Sequence, residues 1–112
     1  MRKLLSSEKI DSKALQTMQS YHGDTIQDIE SNLQQHEWVI VGMAYNPFVK
    51  KARRALEEKN APYKYIEYGS YFSQWQRRLA IKLWSGWPTF PQVFHKGKLI
   101  GGANDLKKYT EK

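Results

Sequence analysis

A chain of 112 residues, 40% hydrophobic and 26% charged, suits one domain with one core and is too apolar for wholesale disorder. Seven glycines and four prolines exclude a fibrous or low-complexity chain, and the absence of cysteine excludes a disulfide, a thiolate nucleophile and thiolate ligation of a metal or an iron–sulfur cluster. The net charge of +7 serves solubility and keeps an anionic partner in view.

The start, Met1-Arg2-Lys3-Leu4-Leu5-Ser6-Ser7, is basic, but its apolar part is too short for a signal peptide. Apolar runs elsewhere are only a few residues long, as at Val39-Ile40-Val41, so no membrane-spanning helix is expected. A cytoplasmic chain with no membrane partner is the resulting expectation. His22, His36 and His95 are too widely spaced along the chain for a local metal-ligand pattern, and no metal site is expected.

Ile10, Ala14, Leu15 and Met18 form a weak helical stripe that Tyr21-His22-Gly23 breaks. Residues 1–22 are therefore read as an N-terminal helical extension and residues 23–112 as the domain. Asp24 or Thr25 can cap a second helix, with Ile26, Ile29 and Leu33 following at helical spacing. Trp38-Val39-Ile40-Val41 is continuous, apolar and β-branched, which predicts a strand buried on both faces. Asn46-Pro47 combines a favoured N-cap with a favoured first helical residue, predicting a helix to Lys59 that buries Phe48, Val49, Ala52, Ala55 and Leu56.

Asn60-Ala61-Pro62 ends that helix, and residues 63–68 alternate with the period of a strand. Residues 71–83 return to helical spacing, with Phe72, Trp75, Leu79 and Leu83 at apolar positions. After the loop Ser85-Gly86-Trp87-Pro88, the runs Val93-Phe94-His95 and Leu99-Ile100 flank Lys96-Gly97-Lys98 as a tight hairpin. A short helix over 105–112 closes the chain. A strand–helix–strand unit followed by a helix and a hairpin predicts an α/β sandwich around a small mixed sheet.

That order, with Pro91 starting the third strand and Gly101-Gly102 after the fourth, resembles the thioredoxin fold in its glutaredoxin form. The likeness covers about residues 24–110 and is greatest to the monothiol glutaredoxins built around Cys-Gly-Phe-Ser. It rests on Trp87-Pro88-Thr89-Phe90-Pro91-Gln92, on Lys96-Gly97, on Ile100-Gly101-Gly102, and on the segment from Arg78, nine positions ahead of Trp87, to Lys82. The resemblance implies a three-layer sandwich with a four-stranded mixed sheet and flanking helices.

The departure is at the reactive position. Where the family has a cysteine at the start of the helix after the first strand, this chain reads Asn46-Pro47-Phe48-Val49, and the loop before it, Gly42-Met43-Ala44-Tyr45, is short and lacks the usual lysine. An amide cannot form a mixed disulfide, nor give a thiolate to a glutathione-bridged [2Fe-2S] cluster. Thiol–disulfide exchange and cluster ligation by this chain are not expected, and there is no catalytic residue to name.

By resemblance, a glutathione or anion site would comprise Asn46, Pro47, Phe48, Lys50, Arg78, Phe90, Pro91, Gly102, Ala103 and Asn104. Phe90-Pro91 would be a cis pair exposing the Phe90 backbone to an extended ligand. Gly102-Ala103-Asn104 would take the γ-glutamyl end of glutathione on backbone amides, although the family's Cys-Asp or Ser-Asp pair is Ala103-Asn104 here. Arg78 would meet the glycyl carboxylate. Free amides at the helix start beside Asn46, with Lys50 and Lys51 in the same turn, would attract an anion.

Each of these features also has a structural reading: a cap, a fold-locking turn, a solvated arginine. Lys50, Lys51, Arg53 and Arg54 read as a solvated helix face paired with Glu57 and Glu58 rather than a nucleic-acid site. Trp84 and Trp87 are candidates for a partner-binding patch. The functional expectation is a redox-inactive module binding glutathione, a peptide or a protein. The alternatives are a glutathione-dependent non-redox enzyme, with Tyr45 as a proton donor, and a basic surface for an anionic partner.

Overall fold

The chain's central strand, Trp38–Gly42 (β1), is buried at every position, as its continuous apolar run requires. The computed structural model describes residues 5–111, so Met1–Leu4 and the expected end of the last helix at Lys112 lie outside the described residues. Before β1 come α1 (Ser12–Ser20) and α2 (Gly23–Gln35); after it come α3 (Pro47–Glu58), β2 (Lys64–Glu67), α4 (Trp75–Ser85), β3 (Gln92–His95), β4 (Lys98–Gly101) and α5 (Ala103–Thr110). The strands lie in the order β2-β1-β3-β4. β1 runs parallel to β2 across the α3 crossover and antiparallel to β3, which pairs antiparallel with β4.

Alternation along the strands sends successive side chains to opposite faces. Val39, Val41 and Phe94 join Ile29 of α2, Ile81 of α4, Met43, Ile66 and Phe90 on one face. Trp38, Ile40 and Val93 join Ala52 and Leu56 of α3 and Ala103 and Leu106 of α5 on the other. The result is a three-layer α/β sandwich with a four-stranded mixed sheet, as the element order and the resemblance predict. Among the described residues no helix is long and apolar enough to cross a membrane.

Several local expectations need correction. Neither Asp24 nor Thr25 caps α2; the N-cap is His22, in the left-handed region and without a side-chain cap bond. Both side chains instead meet Arg77 of α4, Asp24 at 2.9 Å. Helix α4 begins at Trp75 rather than Tyr71. In the preceding loop the Ser70 hydroxyl accepts from the Phe72 amide and the Ser73 hydroxyl from the Ser70 amide, local bonds that compete with helix.

The apolar positions assigned to that helix face outward: Phe72 is 96% exposed, and Trp75, Leu79 and Leu83 are exposed as well. Its buried residues are Arg78, Ala80 and Ile81. Phe48 is 55% exposed, because the buried stripe of α3 is Val49, Ala52 and Leu56. Helix α5 starts two residues earlier than expected, at Ala103.

The β3–β4 hairpin turns on Lys96-Gly97, both at positive φ (52° and 80°), as a two-residue primed turn requires. Beside it His95 stacks on Trp38 at 3.9 Å. Its Nε2 lies 2.9 Å from the Glu37 carboxylate and its Nδ1 2.7 Å from the Tyr109 hydroxyl. A carboxylate only accepts, so Nε2–H donates to Glu37, and in the neutral ring Nδ1 accepts from Tyr109. The Nε2–H bond to Glu37, with the nearby Lys96 ammonium, holds the Glu37 carboxyl below its ordinary value of 4.5.

A carboxyl whose pKa is lower folded than unfolded stabilises the fold above the unfolded value and ceases to do so as pH falls through the folded one. The melting temperature is therefore expected to fall on acidification from about pH 6 to about pH 3, and less steeply in Glu37→Gln. Thermal melts of the two proteins across that range check it.

Candidate functional site

Beyond β1 the chain passes through Met43, Ala44 and Tyr45 to Asn46, which has β-region backbone angles and opens α3. Tyr45 takes a positive φ of 62° and is 82% exposed. Asn46 is only 9% exposed. Its Oδ1 accepts from the amides of Phe48 at 2.9 Å and Val49 at 3.1 Å, and Pro47, which has no N–H to satisfy, occupies the first helical position.

The expectation of free amides here is thus corrected. The N–H groups that an anion would meet at this end are bonded to the side chain of the helix's own cap. They point inward, and an oxygen one residue before the helix satisfies them at no cost in ligand. Lys50 and Lys51 follow in the first turns. Lys50 is exposed, and Lys51 Nζ donates to Asn104 Oδ1 at 3.0 Å, joining α3 to the start of α5.

The second part is the segment from Trp87 to Gln92. The Phe90-Pro91 bond is cis. The Phe90 ring is buried in the same cluster as Met43 and lies 5.7 Å from the Lys82 ammonium. Gln92 is fully buried and its Nε2 donates to the Trp87 carbonyl at 3.0 Å, bracing the loop. Gln92 Oε1 and Trp87 Nε1 are buried without a partner among the described residues. Gln92 supports the site, a role its place in the motif does not indicate; the available signal is a glutamine opening an otherwise apolar strand.

Gly101 and Gly102 form the third part. Gly101 has φ of +121°, and a Cβ there would stand 2.7 Å from the Asp105 carboxylate. That carboxylate accepts from the Gly102 amide at 3.0 Å. A Cβ on Gly102 would lie 3.6 Å from the Pro91 carbonyl oxygen and 3.8 Å from Trp87 Nε1, so this turn sits directly against the cis-proline segment. The amides of Ala103 and Asn104, at the first two positions of α5, have no acceptor within the helix. Pro47 and Ala103 line one groove, so the starts of α3 and α5 share a surface.

Arg78 is 7% exposed. Its Nη1 donates to the carbonyls of Tyr68 at 3.0 Å and Ser73 at 2.5 Å, so that nitrogen ties α4 to the loop after β2. Among the described residues no acceptor meets its Nε or Nη2, and these are the nitrogens a ligand carboxylate could use. Tyr45 has no hydrogen-bond partner and no nearby base among the described residues, so the geometry gives its hydroxyl no proton-transfer route. Trp84 is partly exposed and lies near Phe94, with ring centroids 5.9 Å apart. Trp87 is half-buried.

The glutaredoxin family model matches residues 39–100 of this chain. A glutaredoxin-like protein of Dictyostelium discoideum is 51% identical over 89 residues, which cover 80% of this chain and 72% of that protein. Monothiol glutaredoxin-S15, mitochondrial, of Arabidopsis thaliana is 32% identical over 100 residues, 84% of this chain and 57% of its own length. Against that relative, the chain spans little more than half. Among solved structures, the fold is similar to that of the buckwheat glutaredoxin–glutathione complex, with a TM-score of 0.68, 22% identity and coverage of 80% of this chain and 82% of that one.

Three substitutions test the local physics. Asn46→Ala should lose about 0.5–2 kcal/mol of stability in urea denaturation, the usual worth of an N-cap. Asn46→Cys should place a thiol against the Phe48 and Val49 amides, and its pKa, followed by thiolate absorbance, should fall below about 8.5. Gly101→Ala should cost about 1–3 kcal/mol, because it adds a side chain at strained φ and drives it into the Asp105 carboxylate. A loss below about 0.5 kcal/mol in the same denaturation assay would show that the turn relaxes freely.

Proposed function

The chain belongs to the glutaredoxin family, and from that premise we propose that it is a binding module without thiol chemistry, keeping a groove for glutathione or an extended peptide. The observation that carries this reading is Asn46. A carboxamide, buried and bonded to two backbone amides, occupies the place where the family's reaction needs sulfur. Oxygen and nitrogen of an amide neither attack a disulfide nor leave from one. For the same reason the chain does not fit a [2Fe-2S] cluster held through its own residue, since it has no cysteine to ligate iron.

What remains around Asn46 is recognition geometry. The cis Phe90-Pro91 pair, the Gly101-Gly102 turn packed against Pro91, and the amides of Ala103 and Asn104, which have no acceptor within α5, support a ligand laid along the segment as an added strand. Arg78, with Nε and Nη2 unmet, supports a carboxylate at the other end. The glutathione in the buckwheat complex supports the choice of ligand. Replacement of the family's cysteine by a residue that itself caps α3 keeps the helix start ordered without any bound partner.

Titration calorimetry with reduced glutathione and with its S-methyl derivative is the direct test. The expected result is weak binding of both with similar affinity, since no bond to sulfur contributes. Arg78→Gln, which keeps a donor for the buried carbonyls, should weaken both about three- to thirtyfold. No heat at millimolar ligand would remove small-thiol binding from the account. Measurable disulfide reductase activity in the cysteine-free chain would overturn the non-redox reading.

A further inference from the structure

A groove of about 760 Å³ runs along the outer side of α3 and α5, from Pro47 and Ala103 at the helix starts to Lys59 and Glu111 beyond their ends. Lys50, Lys51, Arg54, Lys59 and Lys107 line it against two carboxylates, those of Glu58 and Glu111. In α3, Glu57 and Glu58 stand one turn beyond Arg53 and Arg54, the spacing at which ion pairs usually neutralise a basic helix face. The pairing expected from that spacing does not form.

Arg53 turns away from the groove, its guanidinium stacking 4.0 Å from the Tyr65 ring and its Nε donating to the Tyr63 hydroxyl at 3.1 Å. Glu57 in turn accepts from the Tyr63 hydroxyl. Among the described residues the salt bridges are Arg77–Asp24 and His95–Glu37, neither of which involves a groove cation. Lys51 meets a neutral amide oxygen, that of Asn104. Lys50 also stands in the first turn of a helix, where the dipole opposes positive charge. Five cations with no carboxylate partner among the described residues concentrate positive potential in one concave surface.

We propose that this groove binds a compact polyphosphate anion, a small molecule carrying several adjacent phosphoryl groups. Four of the five cations are lysines, which act as point charges and suit a dense multiple charge better than a single planar carboxylate, the natural partner of arginine. Among the described residues no aromatic side chain lines the groove, so they offer a nucleobase no stacking platform. The volume is that of a small-molecule pocket. The site goes beyond the glutathione reading: it shares Pro47, Lys50 and Ala103 with it, while Arg54, Lys59 and Lys107 lie outside.

Titration of the whole chain with sodium tripolyphosphate tests the proposal. One-to-one binding is expected, with an association constant falling at least about tenfold between about 20 and 200 mM salt. The double variant Arg54→Gln/Lys107→Gln should retain its circular dichroism and melting temperature yet bind roughly three- to twentyfold more weakly, the combined worth of two exposed charge contacts. The same double variant should leave any glutathione binding unchanged, because Arg54 and Lys107 lie outside the glutathione groove. No heat at millimolar tripolyphosphate, or unchanged affinity in the double variant, would overturn the proposal. Equal affinity for a tetra-aspartate peptide, or tighter binding of a DNA duplex lost in the same variant, would replace the polyphosphate by another anion and overturn it too.

Discussion

Everything in this fold is built outward from β1, a strand with no exposed face. Its neighbours β2 and β3 complete its ladder on both sides, and its side chains enter the two cores alternately. A strand so placed must be apolar throughout and must leave the sheet abruptly when it ends. The chain does so through Tyr45 at positive φ and Asn46 as a cap. The start of α3 is thus a by-product of terminating a buried strand. Its geometry is held by the backbone and the Asn46 carboxamide and depends on no sulfur.

Much of this is legible in the residues alone, for reasons that differ by element. The β-branched run of β1, the Asn-Pro pair at α3 and the Lys-Gly turn of the hairpin each carry their own local cause, and all appear where expected. Helix α4 is different. The spacing of Phe72, Trp75, Leu79 and Leu83 marks a helix but not which side meets the core. The buried side carries Arg78, whose charge is compensated by two carbonyls from a loop distant in character from any helix signal. Likewise the pairing of Arg53 with Glu57 is plausible along one helix and fails because Tyr63 and Tyr65, on β2 and its approach, engage the same partners. Periodicity reports local neighbours; it is silent on what another element offers.

The candidate site divides in the same way. Asn46, Pro47, Phe90-Pro91 and the glycine turn are visible as motifs, since each is a backbone constraint that few residue types meet. Gln92 and Asp105 are less visible, because their work is done for a neighbouring loop: one braces the Trp87 carbonyl and the other holds the Gly102 amide. The Asn46 cap also changes the electrostatic meaning of the helix start. A thiolate there would be stabilised by the amides, whereas a carboxamide takes the same two bonds and spends them on order.

The stacking of His95 on Trp38 lies at the opposite end of β1 from that helix start. Because the His95 ring also meets Glu37 and Tyr109, one side chain fastens the start of β1 to the hairpin and to the last helix. The sheet is thus clasped by a single imidazole at the end away from Asn46.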